Sequence, residues 1–179
     1  MSDAPREARS FEIINDADLE RLAELGRAKL MHICRPINKS RVFAARLRLL
    51  CFCQGAALHH RQCQTAVPLD RQRGISDFDV WGFFEALRGH SFVSRKPWEC
   101  DFGPSRFGRD PGNRRRQGRK VDVLGRAIPF EDGEGAIDAV LRWLARSDGS
   151  PAWLRARPIY VISPGPDFGR MIWPGEPNG

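Results

Sequence analysis

Residues 74–84 read Gly-Ile-Ser-Asp-Phe-Asp-Val-Trp-Gly-Phe-Phe, so two aspartates, Asp77 and Asp79, precede a run of large apolar side chains. The alternation predicts a β-strand from Asp77 to Phe84, and residues i and i+2 of a strand point to the same face. Two carboxylates on one face repel each other, and a cation between them removes that repulsion. Because hard oxygen ligands suit Mg²⁺, the pair favours this ion, with Mn²⁺ as the alternative.

A third aspartate, Asp122, lies in a second predicted strand that runs from Lys120 to Ile128. Its neighbours are apolar, so its carboxylate either faces inward and is paired or belongs to an edge strand. Three carboxylates on neighbouring strands can hold one or two metal ions for phosphoryl or nucleotidyl transfer. The alternative is that Asp77 and Asp79 form the solvated face of an edge strand. The choice depends on whether the two strands are neighbours.

The rest of the pattern predicts one domain of the α/β (α+β) class, a small mixed β-sheet flanked by helices. We expect a disordered N-terminus over 1–10, the domain over 11–163 and a Pro/Gly-rich tail over 164–179. Apolar periodicity and turn residues predict the inner boundaries. We predict helices over 16–34, 41–48 and 134–146, and a further helix after a turn at Gly55. Two more strands are predicted over 49–53 and 159–162, and residues 86–118 are predicted to form an irregular loop.

The composition and net charge of the chain limit the compartment and the kinds of binding partner that we expect. No apolar run approaches the roughly 20 residues of a membrane span, and residues 1–9 lack the apolar stretch of a signal peptide. We therefore expect a cytoplasmic protein without a membrane partner. The net charge is +7, and only four of the 29 basic residues are lysine. A basic cluster ahead of Asp122 predicts a polyanionic partner, a nucleoside triphosphate or a nucleic acid; its members are Arg114, Arg115, Arg116, Arg119 and Lys120.

The five cysteines do not predict a disulfide framework, because their number is odd and no signal peptide precedes them. Three of them lie near His59 and His60, which raises the alternative of a zinc site. No Cys-x-x-Cys pair is present, so the spacing matches known zinc sites poorly. Buried free thiols are the favoured interpretation.

The order of these motifs resembles the DNA polymerase β-like nucleotidyltransferase superfamily, in a bacterial branch. That family has a Gly-Gly or Gly-Ser turn, then Asp-hydrophobic-Asp-hydrophobic, then hydrophobic-Asp-hydrophobic. The matching segments here are Gly55-Ala56, Asp77-Phe78-Asp79-Val80 and Val121-Asp122-Val123. The resemblance covers roughly residues 49–124.

The resemblance implies a metal-dependent enzyme that transfers a nucleoside monophosphate from a nucleoside triphosphate to a hydroxyl acceptor on an RNA, a protein or a small molecule. Asp77, Asp79 and Asp122 would be the catalytic metal ligands, and the backbone of Gly55 and Ala56 would hold the β- and γ-phosphates. A partner protein is one source of the acceptor site, since 179 residues leave little room for it.

Two arginines are predicted from their position to bind substrate phosphate. Arg109 and Arg119 bracket the end of the loop that leads to Asp122. Arginine offers planar, bidentate contacts to phosphate oxygens. For any single arginine, a solvated side chain remains the alternative.

Two other functions stay open. Ala56 stands where the family usually has serine or glycine, and the gap from Gly55 to Asp77 is long. A catalytically inactive member of the fold that binds nucleotide or nucleic acid is therefore the alternative. A metal-dependent nuclease ranks third, because its pattern wants a lysine two residues after a strand carboxylate, and Leu124 occupies that position.

Overall fold

The computed structural model describes residues 8–35, 39–146 and 150–175. Within them lies a six-stranded mixed sheet with helices on both faces, which confirms the predicted fold class. The strands are β1 (Leu47–Cys53), β2 (Phe78–Glu85), β3 (Trp98–Asp101), β4 (Lys120–Ile128), β5 (Pro158–Val161) and β6 (Met171–Pro174). The helices are α1 (Asp16–Ile33), α2 (Gln54–Gln64), α3 (Ala136–Leu144) and α4 (Ser150–Arg155), with 3₁₀ turns at Lys39–Phe43 and Leu69–Arg71.

The two aspartate-bearing strands are neighbours. The sheet order is β3-β4-β2-β1-β5-β6. β2 pairs in parallel with β4 over the full length of β2, from Phe78 opposite Val121 to Glu85 opposite Ile128, while the other neighbouring strands pair antiparallel. Both strands therefore start at the same end of the sheet, where the antiparallel β1 ends.

Helix α1 packs closely against the centre of the sheet. It starts with a capping box, in which the Asn15 side chain accepts from the Asp18 backbone N–H and the Asp18 carboxylate accepts from the Asn15 N–H. Leu30 is fully buried against two strand glycines: a Cβ at Gly82 would lie 2.3 Å from Leu30 Cδ1, and one at Gly125 would lie 3.1 Å from Leu30 Cδ2. The missing side chains on β2 and β4 thus make room for the helix.

The sheet buries apolar side chains on both faces. One face, with Phe52, Phe78 and Val80, packs against α1 and α2. The other, with Cys51, Cys53 and Trp81, packs against α3 and Leu154 of α4. Odd-numbered residues of β2 share this second face, so alternation places Asp77 and Asp79 on the side of α3 and α4.

Several segments differ from the sequence prediction, and α4 lies where the sequence predicts no element. The segment predicted as helix 41–48 holds a 3₁₀ turn and the start of β1, the predicted irregular loop 86–118 contains β3, and the predicted tail contributes β6 to the sheet. Near the N-terminus, Ser10 forms a β-bridge with Ile75, and residues 1–7 of the predicted disordered segment lie outside the described residues. Short strands flanked by Gly and Pro carry too few alternating residues to be recognised by periodicity.

The connection between β3 and β4 is an ordered loop. The Asp101 carboxylate accepts hydrogen bonds from the backbone N–H groups of Gly103 (2.9 Å), Gln117 (2.7 Å) and Gly118 (2.9 Å). Burial acts to raise the pKa of Asp101, but these three donors hold it below its ordinary value. Arg116 adds ion pairs to Glu99 and Asp110. The loop is thereby tied to the edge of the sheet.

Among the residues described, no helix combines the length and apolar character required to cross a bilayer. The longest of them, α1, carries acidic and basic residues along its 18 positions.

Replacement of Leu30 by alanine tests the packing of α1. We expect Leu30→Ala to lower the free energy of unfolding by about 2–5 kcal/mol, because a fully buried leucine leaves a cavity above Gly82 and Gly125. The control is Ile13→Ala, at a side chain that is 66% exposed, with an expected change within about 0.5 kcal/mol. Urea unfolding measures both; equal effects would contradict this packing.

Candidate active site

The three predicted aspartates lie at one end of the sheet. Asp79 on β2 is directly opposite Asp122 on β4, and registered residues on parallel strands point to the same face. Asp77 immediately precedes β2 and contacts the same lysine as Asp122. The structure therefore brings together all three residues that the sequence analysis singled out as catalytic.

Lys120 lies between two of these carboxylates. Its Nζ is 2.7 Å from Asp122 Oδ2 and 3.4 Å from Asp77 Oδ2. Burial acts to lower the pKa of Lys120, but the hydrogen bond and charge of Asp122, together with Asp77, raise it above its ordinary value. The ammonium group therefore stays charged and neutralises part of the site.

Burial and the repulsion between like charges make ionisation of Asp79 and Asp122 unfavourable. Burial raises the pKa of Asp79 well above its ordinary value, and the charges of Asp77 and Asp122 raise it further, against Lys120 and Arg73. Asp122 is 1% exposed, and burial raises its pKa as well. Its Oδ1 is buried without a hydrogen-bond partner among the described residues, although Oδ2 accepts from Lys120. A buried carboxylate oxygen without a hydrogen-bond partner destabilises the folded state, and a cation bound beside it would offset that cost.

The candidate metal ligands are the carboxylate oxygens of the three aspartates. Hard oxygen ligands of this kind are the type that a divalent cation such as Mg²⁺ prefers. In the part of the chain described, however, no three or more His, Cys, Asp or Glu side chains are arranged so that they could hold a metal ion. The ammonium of Lys120 occupies the space between Asp77 and Asp122. Metal binding at this site therefore requires these side chains to shift.

The N-terminus of α2 borders the carboxylates. β1 runs into α2 without a loop, and Gln54 makes the turn with a φ of 65°, in the left-handed region that a non-glycine residue rarely adopts. Gly55 follows, and a Cβ there would lie 3.0 Å from Nε of Arg73. The Ala56 side chain is buried in the apolar core, so only its backbone faces the helix start. Gly55 and Ala56, which the sequence predicts as a turn ahead of the helix, are instead part of the first turn of α2, and they lie beside Arg73 and the aspartates.

A cleft of about 500 Å³ lies over this end of the sheet. It brings cationic, anionic and aromatic side chains together. The Trp153 side chain is half exposed in its wall, with its ring centroid 5.9 Å from that of the buried Trp81. The charged and polar side chains that line it are Gln54, Arg73, Ser76, Asp77, Asp79, Asp110, Lys120 and Arg157.

The two predicted phosphate-binding arginines lie elsewhere. Arg119 is 5% exposed and donates to the carbonyl oxygens of Phe107 (2.7 Å) and Ala8 (2.8 Å), which makes it a support of the loop. Arg109 is exposed on that loop and does not line the cleft described above. We therefore leave both out of the proposed site.

The residues of the alternative zinc site do not converge. Cys51 and Cys53 are buried on the face of the sheet that packs against α3, and burial raises the pKa of both thiols. His59 and Cys63 lie on α2, across the sheet, where His59 Nε2 is 3.2 Å from the Glu12 carbonyl oxygen and 3.5 Å from Cys63 Sγ. The two pairs cannot share one ion.

Several cleft residues were not predicted from the sequence, and three of them bear on the chemistry of the site. Lys120 had been assigned only to the basic cluster, although the i, i+2 rule that pairs Asp77 with Asp79 also places it beside Asp122. Nothing in the local sequence around Trp153 indicates that its ring is half exposed. Arg73 lies in a polar connection without periodicity, so only the three-dimensional structure brings it to Gly55.

Comparisons with models of protein families, with curated proteins and with solved structures found no match to this chain. The resemblance to nucleotidyltransferases therefore remains a prediction from the residues themselves.

Replacement of Asp79 by asparagine tests the electrostatics of the cluster. Because the folded state raises the pKa of Asp79, the ionised carboxylate destabilises the fold above that pKa, and the penalty vanishes as the pH falls below the unfolded value. Asp79→Asn should therefore have a higher melting temperature than the wild type at pH 8 without divalent ions, and the difference should shrink toward pH 4. Thermal unfolding across pH measures it; a variant that is less stable at pH 8 would contradict the account.

Proposed function

We propose that this chain is a metal-dependent nucleotidyltransferase, which transfers a nucleoside monophosphate from a nucleoside triphosphate to a hydroxyl acceptor. The observation that carries the proposal is the parallel register of β2 and β4, with Asp79 opposite Asp122 and Asp77 alongside. This arrangement supports the family resemblance, because three carboxylates at one end of a sheet beside a helix N-terminus are what that chemistry needs.

The roles follow from position and charge. Asp77, Asp79 and Asp122 would hold Mg²⁺ or Mn²⁺, which when bound neutralises the triphosphate. The acceptor hydroxyl attacks the α-phosphorus in line, a new P–O bond forms, and the bond to the bridging oxygen breaks as pyrophosphate leaves. Asp122 is the candidate for accepting the hydroxyl proton, since its raised pKa makes it a better base than an ordinary carboxylate.

The N-terminus of α2 is the proposed phosphate-binding site. Its backbone N–H groups are the positive end of the helix, and the Arg73 guanidinium lies against Gly55 at that end. Two positive groups at one place attract an anion more strongly than either does alone. The β- and γ-phosphates of a nucleotide would bind at this end of the helix, while the half-exposed ring of Trp153 offers a surface on which the base can stack.

A second candidate is a non-catalytic protein of this fold that binds nucleotide or nucleic acid. The observation that favours it is the position of Lys120, whose ammonium fills the space between Asp77 and Asp122. In such a protein the lysine would replace the metal permanently, and Arg114 and Arg115, both exposed on the loop, would contact the polyanion. Its binding would depend on salt concentration and survive loss of the aspartates.

Transfer of label from α-labelled nucleoside triphosphates tests the enzyme. Wild type, Asp79→Asn and the control Asp132→Asn, at an exposed turn residue, are incubated with each of the four nucleotides in Mg²⁺ or Mn²⁺ and a bacterial extract as acceptor source. We expect Asp79→Asn to lose at least roughly 100-fold in transfer, as a preorganised charge at the reacting centre is worth about that much. Asp132→Asn should match the wild type.

Equal transfer by wild type and Asp79→Asn would contradict the proposal. Absence of transfer by folded wild type, together with nucleic-acid binding that weakens with salt and persists in Asp79→Asn, would favour the binding protein. Cleavage of added nucleic acid in place of transfer would favour the nuclease.

A further inference from the structure

We propose that residues 8–14 form a strap that neutral His59 holds on α2, and that acid opens this strap together with the segment that carries Arg73. The strap precedes α1 and lies beside residues 73–75, just ahead of Asp77. The inference goes beyond the proposed function and does not require it, because it concerns how the fold responds to pH.

The strap pairs with the residues that lead into the candidate site. Ser10 and Ile75 form a β-bridge, in which the Ser10 N–H donates to the Ile75 oxygen (2.9 Å) and the Ile75 N–H donates to the Ser10 oxygen (2.7 Å). Arg9 donates to the carbonyl oxygen of Arg73 (2.9 Å), whose side chain lines the cleft. The strap therefore fixes the backbone of residues 73–75.

The two ends of the strap are held by the loop between β3 and β4. Arg119 donates to the carbonyl oxygen of Ala8 (2.8 Å), and Arg106 donates to that of Ile13 (2.6 Å). A guanidinium group stays charged at every pH in which the protein is folded, so these two contacts do not respond to acid. The contact of the strap with α2 differs, because it is made by a histidine.

His59 on α2 is fully buried beneath the strap. Its Nε2 lies 3.2 Å from the carbonyl oxygen of Glu12, which can only accept, so the neutral ring carries its proton on Nε2. The ring of Phe11 packs edge-on against it, with the centroids 6.2 Å apart. Nδ1 is buried and has no hydrogen-bond partner among the described residues. A second proton would therefore lie on a buried nitrogen without an acceptor, which destabilises the closed strap.

The direction of the pH effect follows from this burial. Burial lowers the pKa of His59, although the hydrogen bond to Glu12 acts to raise it. When the strap opens, the ring is hydrated and its pKa returns to the ordinary value of about 6.5. The open state then binds the proton more tightly than the closed state. The closed strap is therefore fully stable above about pH 6.5 and loses stability as the pH falls below that value.

The other ionisable groups around this contact do not reverse the effect. His60, the next residue of α2, also has a pKa that burial lowers, against the charges of two aspartates on α1. Burial raises the pKa of a thiol on α2 and, to about 12, that of a phenol on β5, so both stay neutral at the pH values at which histidine titrates. These neighbours are Asp16, Asp18 with its ion-pair partner Arg106, Cys63 and Tyr160.

Hydrogen–deuterium exchange of the full chain at pH 7.5 and pH 5.5, corrected for the intrinsic pH dependence of exchange, tests the inference. Wild type is compared with His59→Gln, whose amide can donate to the Glu12 oxygen but does not titrate, and with the control His90→Gln at an exposed histidine. In wild type and the control, we expect protection of residues 8–14 and 73–75 to fall roughly tenfold at pH 5.5 while β1 stays protected. In His59→Gln most of this change should disappear.

Local protection is the chosen readout because the raised pKa of Asp79 acts on global stability in the opposite direction. If His59→Gln opens the strap at both pH values, titration of the wild-type His59 ring by nuclear magnetic resonance decides. A ring that titrates below its ordinary pKa of about 6.5 supports the inference, and one that titrates at or above that value overturns it. Equal wild-type protection at both pH values, an equal fall in His59→Gln, or a fall shared by β1 would each overturn it as well.

Discussion

The parallel pairing of β2 with β4 is the constraint on which the site depends. Parallel neighbours require a crossover connection, because the chain must return to the starting end of the sheet. Here residues 86–119 make that return, with β3 laid on the far edge of β4 and Asp101 tying the loop to it. Because of this return, β2 and β4 begin at the same end of the sheet, and Asp79 and Asp122 are direct neighbours.

The same pairing concentrates groups that are unfavourable in isolation. Three carboxylates share one face, the pKa of Asp79 is driven well above its ordinary value by burial and by like charges, and Asp122 keeps an unpartnered oxygen. Nearby, Gln54 holds a left-handed conformation at the junction of β1 and α2. Departures of this kind from local preference cluster at functional sites, where ligand binding compensates for them.

The sequence predicts those helices and strands in which the spacing of apolar residues matches the repeat of the secondary structure. The apolar residues of 78–84 and 120–128 identify the two aspartate-bearing strands, and the leucines of α1 identify its helix. The pairing of Asp79 with Asp122 could only be hypothesised, because register is a long-range property. Arg73 and Trp153 reach the cleft through tertiary contacts that no local spacing encodes, and Arg119 is taken up by backbone carbonyls of the loop.

The most direct measurement is the anomalous diffraction of Mn²⁺ in crystals grown with a non-hydrolysable nucleoside triphosphate. If the proposed function is right, an anomalous peak lies within coordination distance of Asp79 and Asp122, and the triphosphate is directed toward Gly55. A nucleotide bound elsewhere, or a cluster without a peak in which Lys120 still bridges Asp77 and Asp122, would contradict it.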